Sequence, residues 1–129
     1  LLKKGQEFGI INLDIENSLP LLLHGPVGAE LARRDYGITD SDILNAITWH
    51  TTGRCGMSPL EKVIYLADYT DTQRQFSGLE LVRQMAKKDL DKALILALGQ
   101  SISYIVSKEW PLHPQTVLAR NWLLLPSKR

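Results

Sequence analysis

From Asp89 to Val106 the sequence sets Leu90, Ala93, Leu94, Ala97, Leu98, Ile102, Ile105 and Val106 at helical spacing, and Ile95 and Leu96 extend the apolar surface most of the way round. A helix apolar on nearly all sides has to be wrapped by other elements. The pattern therefore predicts a central buried helix, and the rest of the chain must supply its partners.

Those partners read as helices. Asp14 to Pro20 predicts a short helix stopped by its proline. Gly25-Pro26 starts another, with proline where a missing N–H costs nothing, and Gly37 ends it. Thr39-Asp40-Ser41-Asp42 is a capping cluster for a helix in which Ile43, Ala46, Ile47 and His50 recur at helical spacing, up to Thr52-Gly53. Ser58-Pro59-Leu60-Glu61 caps the next, with Glu61 in the capping-box position, and Val63, Ile64, Leu66, Ala67 and Tyr69 carry it to about Thr70. A polar loop holding Arg74 spans Asp71 to Gly78. A short amphipathic helix follows from Leu79 to Lys87, and a last one runs from about Gln115 to Leu125 before a polar tail. No stretch alternates convincingly with period two, so the predicted fold is all-α.

At 129 residues the chain is one domain or a large piece of one, and its 44% hydrophobic content predicts a packed core. A net charge of +1 gives no electrostatic case for nucleic acid or a membrane surface as partner. The single Cys55 excludes an internal disulfide, and the longest apolar run, Ala93 to Leu98, is far too short to cross a bilayer. With no signal peptide evident, the expected setting is the cytoplasm.

His24, His50 and Asp68 could serve a borderline or hard metal such as zinc, iron or manganese, while Arg54, Lys62 and Arg74 suit an anionic substrate, above all a phosphate. Each has a plainer reading: a cap for His24, a core-edge histidine for His50, a solvated or paired aspartate for Asp68. Thr51-Thr52-Gly53-Arg54 offers two hydroxyls, a glycine and a guanidinium, which fits donors gathered about a phosphate and equally fits a helix C-cap with a solvated arginine. Cys55 has no evident base beside it, and His113 reads as structural.

Taken in order, Leu23-His24-Gly25-Pro26-Val27-Gly28-Ala29, His50-Thr51-Thr52-Gly53-Arg54 and Leu60-Glu61-Lys62-Val63-Ile64-Tyr65-Leu66-Ala67-Asp68-Tyr69 resemble the YqeK-type branch of the HD-domain phosphohydrolases. Arg74-Gln75-Phe76, His113-Pro114 and Arg120-Asn121 strengthen the likeness. The resemblance implies an HD-domain-like helical bundle, a two-metal site for a divalent transition metal such as iron, and symmetrical splitting of diadenosine tetraphosphate into two molecules of ADP. It makes His24, His50 and Asp68 metal ligands, with Asp68 at the catalytic centre. Thr51, Thr52, Gly53, Arg54, Lys62 and Arg74 would line the polyphosphate site.

The sequence departs from that pattern: no histidine precedes His24, no His-Asp dipeptide occurs, and Thr70-Asp71-Thr72-Gln73 replaces an acidic-Pro-Gly run. The expectation is that this chain is the C-terminal portion of a single HD-domain enzyme carrying only part of the metal site. The alternative is a catalytically inactive remnant that binds a nucleotide or a partner. A small-molecule nucleotide is the expected ligand, and apolar surface left uncovered would favour a homodimer.

Overall fold

The computed structural model describes residues 1–10 and 14–126, all of it helix, turn or loop. The end of the expected polar tail, residues 127–129, lies outside the described residues. Two short helices, α1 (Leu2–Glu7) and α2 (Asp14–Ser18), precede a 3-10 turn at Pro20–Leu23. Then come α3 (His24–Tyr36), α4 (Ser41–Trp49), α5 (Pro59–Tyr69), α6 (Leu79–Ala86), α7 (Leu90–Ser107) and α8 (Pro114–Leu124). No strand occurs among the described residues, so the fold is all-α as the periodicity predicts.

Local chemistry explains where the helices begin. The Asp40 carboxylate accepts from the Asp42 and Ile43 amides at the start of α4. Ser58 and Glu61 form a reciprocal capping box at the start of α5, with Pro59 in its first turn. Ser58 Oγ also donates to the Asp42 carboxylate, tying these two helix starts together. At α8 the cap is His113, whose Nδ1 accepts from the Gln115 amide at 3.1 Å, so this histidine is structural.

From α3 onward the packing runs α3 on α4, α4 on α5, α5 on α7, α6 on α7 and α7 on α8. The core is centred on α7: Ala93, Leu94, Ala97 and Leu98 are fully buried against Tyr65 and Leu66 of α5, Val82 of α6, and Ala119 and Leu123 of α8. The alanines let neighbouring helices approach while the leucines fill the spaces beside them. Each fully buried leucine contributes on the order of 1.5–3 kcal/mol.

Only the first half of α7 is central, however. Tyr104 and Val106 are 55% and 59% exposed. The reason is length: at 1.5 Å per residue the 18-residue α7 runs roughly 27 Å, whereas α5 and α8, with 11 residues each, cover about 16 Å. An apolar pattern reports that a helix can be buried, not how much chain is present to bury it.

Candidate active site

Two glycines bring the ends of α3 and α4 into place. Gly25, the second residue of α3, is buried so tightly that a Cβ would stand 2.2 Å from the Thr48 carbonyl oxygen on α4. Only glycine permits that approach, and it puts His24, which opens α3, beside His50, which caps the end of α4. The two imidazoles lie 5.2 Å apart between ring centres, edge to face. Gly53 completes the turn after His50 with a φ of 75°, and a Cβ there would press on Ala119.

His50 Nδ1 lies 2.6 Å from the Ile47 carbonyl oxygen. A carbonyl can only accept, so Nδ1 carries a proton, and in the neutral ring Nε2 is the nitrogen with the lone pair. This backbone bond fixes the tautomer in the way seen for ligating histidines.

Both imidazoles face a cleft of about 470 Å³ lined by Leu21, His24, His50, Thr51, Tyr65, Asp68, Tyr69, Arg74 and Ser101. Asp68, near the end of α5, and Arg74, in the loop after it, are about half exposed and meet at 3.5 Å, a single loose contact. Burial pushes the Tyr65 hydroxyl up to about 12, so it stays protonated and can donate to an anion. The Tyr69 hydroxyl, also pushed up by burial, donates to Gln100 Oε1 at 2.7 Å.

The other residues expected to face phosphate are engaged elsewhere. The Arg54 guanidinium donates to both oxygens of Glu61, at 2.7 and 2.8 Å, and Glu61 is only 2% exposed. Burial of Glu61 opposes its charge, but Arg54 and the Ser58 amide outweigh this and hold the carboxyl below the usual range. Thr52 is buried, its hydroxyl turned onto the Gly53 carbonyl at 3.0 Å, and Gly53 packs between Ala119 and Leu98. Lys62 pairs with Asp91 at 2.7 Å and lies over the Trp122 ring. Six positions separate Lys62 from Asp68, which turns it roughly 240° around α5, onto the opposite flank. Thus Thr51 and Arg74 line the cleft, and Thr52, Gly53, Arg54 and Lys62 build the wall behind it.

Leu21, Tyr65, Tyr69 and Ser101 line the cleft without having been singled out by sequence. Tyr65 was within reach, standing one turn before Asp68 on the same helix face. Ser101 carries no local signal, because its place depends on how α7 docks. Cys55 is exposed, and its hydrogen bond among the described residues goes to the Leu118 carbonyl, which gives a nucleophile no base.

No family model matches the chain. It is 48% identical over 105 residues to the symmetrical bis(5'-nucleosyl)-tetraphosphatase of Bacillus subtilis strain 168, an alignment covering 81% of this chain and 56% of that protein. The enzyme of the same name from Halalkalibacterium halodurans is 50% identical over 107 residues, 83% of this chain and 57% of the relative. A Clostridium acetobutylicum crystal structure, described as a predicted HD superfamily hydrolase involved in NAD metabolism, superposes with a TM-score of 0.92 at 41% identity. That match covers 99% of this chain and 67% of the solved one.

The chain belongs to the HD superfamily of hydrolases.

It spans just over half the length of the curated relatives it matches. For a chain of this superfamily the donor set of the cleft is the point to test. The two imidazoles fit a transition metal in type and proximity, and His50 fits it in tautomer as well. A third donor does not join them: among the described residues, no group of three or more His, Cys, Asp or Glu side chains stands close enough to hold a metal ion. Asp68 shares the cleft but leans toward Arg74. The HD-type segment here offers two imidazoles, short of the three or four protein ligands that a closed or catalytic site normally uses.

Proposed function

We propose that this chain is the C-terminal portion of a single HD-domain phosphohydrolase and supplies the substrate cleft and part of the metal centre for hydrolysis of dinucleoside polyphosphates, diadenosine tetraphosphate giving two ADP. The observation that carries this reading is the meeting of His24, His50, Thr51, Asp68 and Arg74 around one cleft, drawn from α3, the turn that ends α4, α5 and the loop after it. The names of relatives near 50% identity point to the same substrate.

HD-superfamily hydrolases are metal-dependent, and the proposed metal here is a divalent transition ion, iron by the family resemblance. His24 and His50 would hold it, with Asp68 contributing once further donors draw it in; bound there, it would supply Lewis-acid polarisation of a phosphoryl oxygen. The chain's own residues handle the rest of the substrate. Arg74, half exposed and with one weak partner, offsets polyphosphate charge. The Tyr65 and Thr51 hydroxyls donate to phosphoryl oxygens, and Tyr65 remains protonated through the neutral range. A cytoplasmic setting and a small-molecule nucleotide ligand accompany this reading. No helix among the described residues is long and apolar enough to cross a membrane. The exposed Tyr104 and Val106 on α7 are the surface we assign to a homodimer.

The test is ADP release from diadenosine tetraphosphate, compared between this chain and a longer parent with the residues upstream of Leu1. The parent is expected to turn over and to lose at least two orders of magnitude with His50→Ala at unchanged helical content, as for loss of a metal ligand. Full activity in that variant would remove His50 from the site. The lack of a third converging donor favours a second reading, a nucleotide-binding remnant without turnover. A parent that binds ADP but neither metal nor the intact substrate productively would select it.

A further inference from the structure

Arg74 sits in the Thr70–Gly78 connection, a stretch without regular helical bonds of its own. It is nevertheless tied down. Arg83, on α6, sends its guanidinium under this loop and donates to three main-chain carbonyls: Nε to Thr70 at 3.2 Å, and one terminal nitrogen to Asp71 at 3.0 Å and to Arg74 itself at 3.2 Å. Those carbonyls surround a turn in which the Arg74 amide donates back to Asp71 at 2.9 Å and the Gln73 amide donates to the Asp71 carboxylate. At the far end Gln100 of α7 donates to the Gly78 carbonyl at 2.9 Å while accepting from Tyr69.

An arginine has a stronger partner available in any carboxylate. Here Glu80, one turn away, takes only a marginal contact at 3.4 Å, while three neutral carbonyls take the rest of the fork. A planar guanidinium can hold several carbonyls at fixed angles, and an ammonium cannot. From this geometry we infer that Arg83 is a positioning residue: it braces the loop so that Arg74 faces the His24–His50 cleft, and it acts on substrate only through Arg74.

The inference rests on the reading of the cleft as a polyphosphate site, and the experiment separates the two. Amide hydrogen exchange and ADP affinity are measured for the full chain, Arg83→Lys, Arg74→Ala and the double variant, with circular dichroism to check helical content. In the unsubstituted chain, the exposed Gln73 and Arg74 amides are expected to be protected about tenfold or more relative to a free peptide. Arg83→Lys keeps the charge but removes that protection. It also weakens ADP roughly tenfold, as Arg74→Ala does, and the double variant binds no more weakly than Arg74→Ala alone.

Unprotected Gln73 and Arg74 amides in the unsubstituted chain would overturn the brace without any variant having to fold. So would Arg83→Lys with protection intact, or with ADP affinity unchanged where Arg74→Ala has lost it. If Arg74→Ala itself binds ADP as tightly as the unsubstituted chain, the polyphosphate reading fails and the positioning role falls with it, whatever the exchange shows.

Discussion

Arg54 and Arg74 stand twenty positions apart, and the sequence offers both as phosphate ligands, Arg54 the more strongly because it closes the Thr-Thr-Gly-Arg turn. Their environments are opposite. Arg54 makes a two-pronged pair with a carboxylate that is 2% exposed, and so is spent on holding the α4–α5 turn to α5. Arg74 is half exposed with one contact at 3.5 Å, and its charge is available. What separates a structural arginine from a binding one is therefore not the residue or its motif but whether a buried partner already saturates it. The wall of the cleft is built from satisfied charges and its mouth from unsatisfied ones.

The largest effect that could break this comparison is at Glu61. Glu61→Ala should leave Arg54 unpaired beside the core and remove half of the capping box, costing about 3–4 kcal/mol, the lower part of the range for a broken buried pair because Arg54 is partly exposed. Urea unfolding measures it; a loss below about 1 kcal/mol would place the pair among ordinary surface bridges. Next is Gly25→Ala, where the added methyl meets the Thr48 carbonyl and must push α3 from α4. Overpacking of this kind costs about 2–3 kcal/mol. The same displacement parts His24 from His50, so ADP binding should weaken along with stability. A fully stable Gly25→Ala chain would show that the helices have room to give.

The contrast also shows what the sequence could express. Helix starts at Asp40 and Ser58 and the stop at Gly37 were legible because a cap is settled by three or four adjacent residues. Glu61 was legible as a capping-box residue, but its second partner was not: Arg54 precedes the helix, and only the turn through Gly53 brings the two side chains together. The meeting of His24, His50, Asp68 and Arg74 in one cleft came from the order of motifs and the family resemblance, since their spacing alone left plainer readings open. Lys62 was misplaced by taking positive charge as availability, when Asp91 on α7 already holds it. Nothing local marked Arg83 or Ser101, whose surroundings exist only after α6 and α7 have packed.

Titration gives a smaller and more graded test. Glu61 is held below the usual carboxylate range in the folded state, so the unfolded chain takes up protons first as pH falls. Its contribution is whole above the ordinary carboxylate range and drains away as pH drops through the lowered folded value. Burial lowers His113 against a raising influence from Glu16, so the folded chain resists protonating that imidazole, and an earlier loss begins as pH falls below the ordinary histidine value. Glu30 is lowered to about 2 by the side-chain bonds from Arg33 and Arg34, but both arginines are about half exposed and its share should be screened by salt. Unfolding midpoints followed from pH 8 to pH 3 should therefore fall in two stages, and His113→Gln should abolish the first. High salt should blunt the second only in the parts that belong to Glu30 and to Glu80, whose carboxyl the Gln84 and Arg83 side chains also hold low.

The smallest expected effect is also the one that sharpens the comparison most. Arg74→Ala and Asp68→Asn should each change stability by less than about 0.5 kcal/mol, as exposed residues with one marginal contact do. If Arg74→Ala costs as much as breaking the Glu61 pair, Arg74 is a structural arginine like Arg54 and the cleft has no free cation to offer a polyphosphate. If stability holds while ADP affinity drops, the division of labour is real: a charge that contributes almost nothing to folding has its counter-charge on the ligand.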